Sequence, residues 1–290
     1  GGVTVSAVPM LTITGTTGND TFVLTPTKVI LNGNEALATN LANVAALSLE
    51  GGVGDDTYKL PSSNIPVTIK DTQGNNSIDF TGATGGIKLN LSKNQGQSQT
   101  IAPWNKTLSI VGTIANLIGT SYADEFTGGF AATTILRGKG GNDILRGGAY
   151  DSILIGGAGN NVLKGGRGSS MLIAGAGNTK LIAGKGDTII VSGTSCYDDA
   201  DEPASGNGGT TNTNNGTGTA AHDAALVSLL AETPAHMTRR WTFSPVWGAD
   251  SSTQLRMGST VTSHGAHNRI FVGSGRLWML RTGYDVFNGR

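Results

Sequence analysis

Residues 138–191 read as six consecutive nonapeptides: GKGGNDILR, GGAYDSILI, GGAGNNVLK, GGRGSSMLI, AGAGNTKLI and AGKGDTIIV. Each joins a glycine turn to a short apolar run, and no gap interrupts the series. One unit holds too few apolar residues to bury a face alone. Stacked units bury one together, each supplying a turn and a strand. The array therefore predicts an all-β fold, a β-solenoid or parallel β-roll.

Composition supports a repeated framework over an ordinary core. The chain has 45 glycines in 290 residues and only 6% aromatic residues. Glycine is costly to order, so such a chain needs turns that use its freedom repeatedly. The apolar residues recur in register with the glycines, which argues against disorder. Cys196 is the single cysteine, so no intramolecular disulfide framework exists. No run of about 18 apolar residues is present, so no membrane span is expected. The start at Gly1, without a basic-then-apolar leader, reads as a mature or excised product.

Residues 1–118 read as an irregular, strand-rich half. Val3-Thr4-Val5, Leu11-Thr12-Ile13, Val67-Thr68-Ile69, Ile78-Asp79-Phe80 and Leu89-Asn90-Leu91 alternate apolar with polar residues, the period of a half-buried strand. GTTGNDTFV from Gly15, GGVGDDTYK from Gly51 and DTQGNNSID from Asp71 are spaced-out relatives of the central unit. A short helix is a weaker expectation over residues 35–46.

The array resembles the haemolysin-type, or RTX, nonapeptide G-G-x-G-x-D-x-U-x, where U is a large apolar residue. Residues 118–126, IGTSYADEF, resemble the entry segment of such arrays in large secreted bacterial proteins. The resemblance covers roughly residues 11–199. It implies that two nonapeptides make one turn of a β-roll. It also implies Ca²⁺ held between stacked loops by carbonyls and by position-six aspartates 18 residues apart.

Position six here runs Asp143, Ser152, Asn161, Ser170, Thr179 and Thr188. One carboxylate survives, and a hydroxyl is a weak calcium ligand. Most calcium sites of the array are therefore expected to be lost. The best remaining pair is Asp124 with Asp143, 19 apart and needing a one-residue bulge, while Asp20 and Asp56 suggest isolated sites in the N-terminal half. These aspartates can equally bond their own turn amides. In place of the ion, Arg167 and Lys185 are expected to pair with Asp151, Asp187 and loop carbonyls.

With position eight facing the core, positions seven and nine face outward. Units two, four and six then carry an apolar outer face: Ile153, Ile155, Met171, Ile173, Ile189 and Val191. Such a patch needs a cover, either the C-terminal segment, which is favoured, or a partner. Residues 119–192 thus form the regular array. Residues 193–290 hold an acidic turn, a Gly/Asn/Thr-rich insertion over 204–219, a helix over 220–232 and a tryptophan-containing strand segment, together a candidate cap.

No catalytic constellation appears: the four histidines lack spaced partners, and no nucleophile, zinc or phosphate-loop motif is present. Residues 236–290 carry seven arginines and two acids, a charge of +5, so the preceding 235 residues carry −5. The arginines are dispersed, which disfavours nucleic acid. The expected function is a non-catalytic structural protein, secreted to the extracellular space or cell surface. It would be a subunit of a fibre, sheath or surface layer, and homo-oligomeric or polymeric. The alternatives are a calcium-binding adhesion module recognising polysaccharide and a carbohydrate-active enzyme on the same framework.

Overall fold

Glycine turns and short apolar runs alternate along most of the chain, and the computed structural model turns that alternation into stacked rungs. It describes residues 10–34, 39–93, 96–130 and 132–195; beyond these it describes residues 224, 227, 228, 230 and 268 and the short strands named below.

In the N-terminal half a rung is a strand, a glycine corner and a second strand. β1 (Leu11–Thr14) and β2 (Thr21–Leu24) form one rung, and β2 turns back through β3 (Lys28–Leu31) and β4 (Thr39–Asn40). β5 (Leu47–Glu50) and β6 (Thr57–Lys59) form the next, and β7 (Val67–Asp79) runs through its own corner. β8 (Lys88–Asn90) belongs to a second sheet, while β9 (Gln99–Ile101) pairs antiparallel with β10 (Lys106–Ile118). β5, β6 and β10 all lie parallel to β7.

From residue 119 the rungs are regular. β11 (Glu125–Thr127), β12 (Thr134–Arg137), β13 (Ile144–Arg146), β14 (Ser152–Ile155), β15 (Val162–Lys164), β16 (Ser170–Ile173), β17 (Lys180–Ile182) and β18 (Thr188–Val191) alternate between the two sheets. All pair parallel within their sheet, and Ile144 opposes Val162, which opposes Lys180. The 18-residue step implied by the RTX resemblance is the observed step. The result is strand-rich, with the parallel sheets of a β-roll.

After β19 (Thr194–Ser195) come β20 (Trp241–Phe243), β21 (Val246–Trp247), β22 (Leu255–Arg256), β23 (Val261–Thr262), β24 (Arg269–Phe271), β25 (Leu277–Leu280) and β26 (Val286–Asn288). Four of these behave differently from a cap laid across the end. β24 adds parallel to β17 with Arg269 opposite Lys180, and β26 adds to β24. β25 adds parallel to β18 with Leu277 opposite Thr188, and β20 adds parallel to β25. The last array rung is covered by further rungs of the same kind.

Position eight fills the core. Leu145, Leu154, Leu163, Leu172, Leu181 and Ile190 are buried in one cluster, which Ile270 of β24 joins. The outward positions divide as the sequence suggests. On the second sheet Ile144 and Val162 are half-buried, and Lys164 and Lys180 are exposed. There Glu125 bridges Lys88 at 2.6 Å and Arg146 at 2.7 Å. On the first sheet Ile153, Met171, Ile173, Ile189 and Val191 are 0% exposed and Ile155 is 3% exposed. That burial is reached within the single chain, so no partner is required to hide the face.

The helix expected over residues 35–46 does not form where the structure describes it. Thr39–Asn40 is strand β4, and the chain then turns. Asparagine is the reason: Asn40 Oδ1 accepts the Ala42 N–H at 2.7 Å, and Asn43 takes a left-handed φ of 67°. Of the helix expected over 220–232, residues 224, 227, 228 and 230 are helical, with Leu230 buried and Val227 exposed. Residues 1–9, Cys196, the acidic turn, residues 204–219 and the four histidines lie outside the described residues.

Candidate functional site: the turn columns

Strand pairing satisfies the main chain within each sheet but leaves the amides of every tight turn to find partners elsewhere. The position-six side chains supply them. Asp143 Oδ1 accepts the Asp124 N–H at 2.8 Å, and Asn161 Oδ1 accepts the Asp143 N–H at 2.8 Å. At the head of this column Asp124 Oδ1 accepts the Ile87 N–H at 2.6 Å. At its far end Asn268 Oδ1 accepts the Thr179 N–H at 2.8 Å. Each side chain reaches back one rung.

Position five reaches the other way. Asn142 Oδ1 accepts the Asn160 N–H at 2.8 Å, and Asn160 Oδ1 accepts the Asn178 N–H at 3.1 Å. On the opposite edge Asp151 Oδ1 accepts the Ser169 N–H at 2.8 Å. Short side chains with a carbonyl-type oxygen can do this without disturbing the turn. Hydrogen bonding therefore continues through the turns as well as the strands.

The N-terminal half repeats the scheme, and here the sequence reading needs correcting. Asp20 and Asp56 are not isolated. Asp56 Oδ1 accepts the Asp20 N–H at 2.7 Å, and Asn76 Oδ1 accepts the Asp56 N–H at 2.9 Å. Parallel pairing of β2, β6 and β7 puts the three on successive rungs despite separations of 36 and 20 residues. Long excursions between rungs hide this in the sequence. Asp124 and Asp143 are brought together as expected, because Glu125 opposes Ile144 in register. Their extra residue lies in the turn between β11 and β12, where ten residues, 128–137, replace nine.

The second side-chain atom decides what each rung can hold. Asp124 Oδ2 accepts the Thr120 N–H at 2.7 Å, and Asp20 Oδ2 accepts the Thr16 N–H at 2.5 Å. Burial raises the Asp124 carboxyl above the usual range, opposed by the Ile87 and Thr120 amides. Where the carboxylate is replaced, a donor appears. Asn76 Nδ2 donates to Gln73 O at 2.8 Å, Asn268 Nδ2 to Ser192 O at 2.8 Å, and Thr179 Oγ1 to Ala174 O at 3.3 Å. Neutral amides and hydroxyls thus satisfy loop carbonyls that a cation would otherwise draw together. Arg167, expected to take that part, has no ion-pair partner among the described residues, and Asp151 bonds an amide instead.

One rung carries an acid where its neighbours carry glycine. Asp71 takes position one, and a Cβ placed on Gly51 would meet Asp56 Oδ2, Asp71 Oδ2 and the Tyr58 hydroxyl. The Tyr58 O–H donates to Asp71 Oδ2 at 2.7 Å. Burial pushes Asp71 up to about 6, with the Asp56 charge adding to it, and burial also raises Asp56. Among the described residues no N–H or hydroxyl donates to Asp56 Oδ2, which faces the Asp71 carboxyl. Two buried carboxyls in this arrangement are stable when they share one proton.

Calcium takes six or more oxygens, largely carboxylate. The donors here fall short of that. A Cβ placed on Gly138 would meet Asp143 Oδ2 and, at 2.6 Å, Gly156 O, so the Asp143 rung offers one carboxylate oxygen beside one carbonyl. At Asp20 and Asp124 both oxygens accept hydrogen bonds. No group of three or more His, Cys, Asp or Glu able to hold a metal occurs among the described residues. These side chains fit a hydrogen-bonded turn ladder better than an ion.

The sequence model of one family matches this region, covering residues 137–172 in four copies. These residues are RTX calcium-binding nonapeptide repeats. The RTX match rests on the turn glycines and position-eight leucines, since its position-six residues are Asp143, Ser152, Asn161 and Ser170. No curated protein matches the chain. The structural repeat continues past residue 172 through β17 and β18 and resumes at Asn268, which the sequence reading missed. The frame SHGAHNRIF, residues 263–271, would have placed Asn268 at position six and Ile270 at position eight.

Proposed function

We propose that this chain is a secreted, non-catalytic scaffold, a subunit of an extracellular fibre, sheath or surface layer built as a β-solenoid. Secretion is the usual setting of RTX repeats. The observation that carries the reading is the state of the sheet ends. Among the described residues β26 pairs only with β24, β20 only with β25, and β1 only with β5. An unpaired strand edge is a template for another chain. Residues 236–290 carry +5 against −5 for the remainder, which favours head-to-tail contact. A heterologous contact that does not close produces a filament.

The turn ladder supports the same reading, because it holds adjacent rungs together without an ion. Electron micrographs of the purified chain should show filaments whose length falls as salt rises. Micrographs showing monomers alone, at every calcium and salt concentration, would overturn the proposal. Chelation by EDTA should leave the melting temperature nearly unchanged.

A further inference from the structure

The turns that precede the first-sheet strands carry a second pattern, at position three. Four successive rungs place Phe130, Ala149, Arg167 and Lys185 there. Main-chain bonds fix their alignment. The Ala149 N–H donates to Gly129 O at 3.1 Å, the Arg167 N–H to Gly148 O at 3.0 Å, and the Lys185 N–H to Gly166 O at 2.9 Å. The four form one column, one residue per rung, about 14 Å long at the usual strand spacing.

A shallow trough of about 700 Å³ runs beside this column. Turn glycines floor it, Phe130, Lys164, Arg167 and Lys185 wall it, and no acidic residue among the described residues lines it. Phe130 is 55% exposed, a large ring left in water. Lys164 and Arg167 are exposed and have no ion-pair partner among the described residues. Asp151, at position five of the same edge, accepts the Ser169 N–H instead of meeting Arg167.

We propose that this trough binds an extended acidic polysaccharide, a chain of uronate residues. Successive rungs lie about 4.8 Å apart, a spacing close to one sugar of an extended chain. The exposed Arg167 can therefore meet one carboxylate and Lys164 another. Guanidinium matches carboxylate geometry bidentately. The exposed Phe130 ring suits the apolar face of a sugar at the end of the column. The glycine floor lets the chain lie close to the backbone. Single-stranded nucleic acid fits less well, since it needs a series of aromatic faces and this column offers one. The inference is independent of filament formation.

The test is titration of the full chain with oligogalacturonate, its neutral methyl ester, and single-stranded DNA of equal charge. Oligogalacturonate should bind, weaken with salt, and bind more tightly than either competitor. Lys164→Gln with Arg167→Gln should weaken it about tenfold, the scale of losing two exposed charge contacts. Phe130→Ala should weaken it severalfold, and Lys59→Gln, on a different rung, should change nothing. Comparing the acid with its ester leaves the protein untouched, so a variant that misfolds does not block the test. Failure of the acid to bind, equal binding of the ester, preference for DNA, or no effect of K164Q/R167Q would each overturn the proposal.

Discussion

Asp143 Oδ1 accepts the Asp124 N–H at 2.8 Å across 19 residues, one more than the 18 that separate Asp143 from Asn161. The bond survives the irregular step because the extra residue lies in the opposite turn, leaving β11 and β13 in register. Removing the acceptor leaves a buried N–H unsatisfied. Asp143→Ala should cost about 1–3 kcal/mol of stability, while Asp143→Asn, which keeps an oxygen in place, should cost less than about 1 kcal/mol. Urea unfolding of the two variants checks this.

Asn161 is the rung at which the column loses its charge. Asn161→Asp would put three carboxylates on successive rungs and remove the Nδ2 that donates toward Gly157 O at 3.4 Å. Without calcium the variant should melt below the wild type, because a buried charge replaces a neutral amide. Calcium should restore part of the loss, and calorimetry should detect an ion bound more tightly than by the wild type.

Acidification should stabilise the N-terminal half. Asp71 titrates near 6 in the folded chain, against about 3.9 when unfolded, so between these values the folded state holds more protons. The stabilisation is therefore full below the unfolded value and disappears as pH rises through about 6. It changes by at most about 1.4 kcal/mol per pH unit. Melting temperature should fall between about pH 4 and pH 6, and Asp71→Asn should flatten that slope. The same slope in the variant would show that the carboxyl pair is not its source.

Lys139 stands at position two, where the other five array units all have glycine, and it takes a φ of 67°. A left-handed conformation disfavours any L side chain by about 1–2 kcal/mol. Lys139→Gly should therefore stabilise the chain, by somewhat less than that because glycine also gains freedom on unfolding. Thermal melts of the single variant measure it.

Met171 and Val162 both point outward, on opposite sheets, yet Met171 is fully buried and Val162 is half-buried. Met171→Ala should cost about 2–5 kcal/mol, as a core truncation does. Val162→Ala should cost less than half as much. Equal losses at the two positions would contradict the asymmetry of the two faces.

Much of this was legible in the sequence because the repeat is local. A glycine turn and an apolar position eight recur every nine residues, and strand, turn and core assignments follow from the backbone requirements of each unit. The pairing of Asp124 with Asp143 was legible for the same reason. What the sequence could not supply was contact between distant segments. Asp20, Asp56 and Asn76 read as separate motifs because excursions of unequal length divide them, and only parallel pairing of β2, β6 and β7 stacks them. Asn268 joins Thr179 across 89 residues, a distance no period records. The sequence by itself determined the rung; tertiary structure decided which rungs are neighbours, because register is set by the sheet ladder and the cost of looping out a long segment grows only slowly with its length.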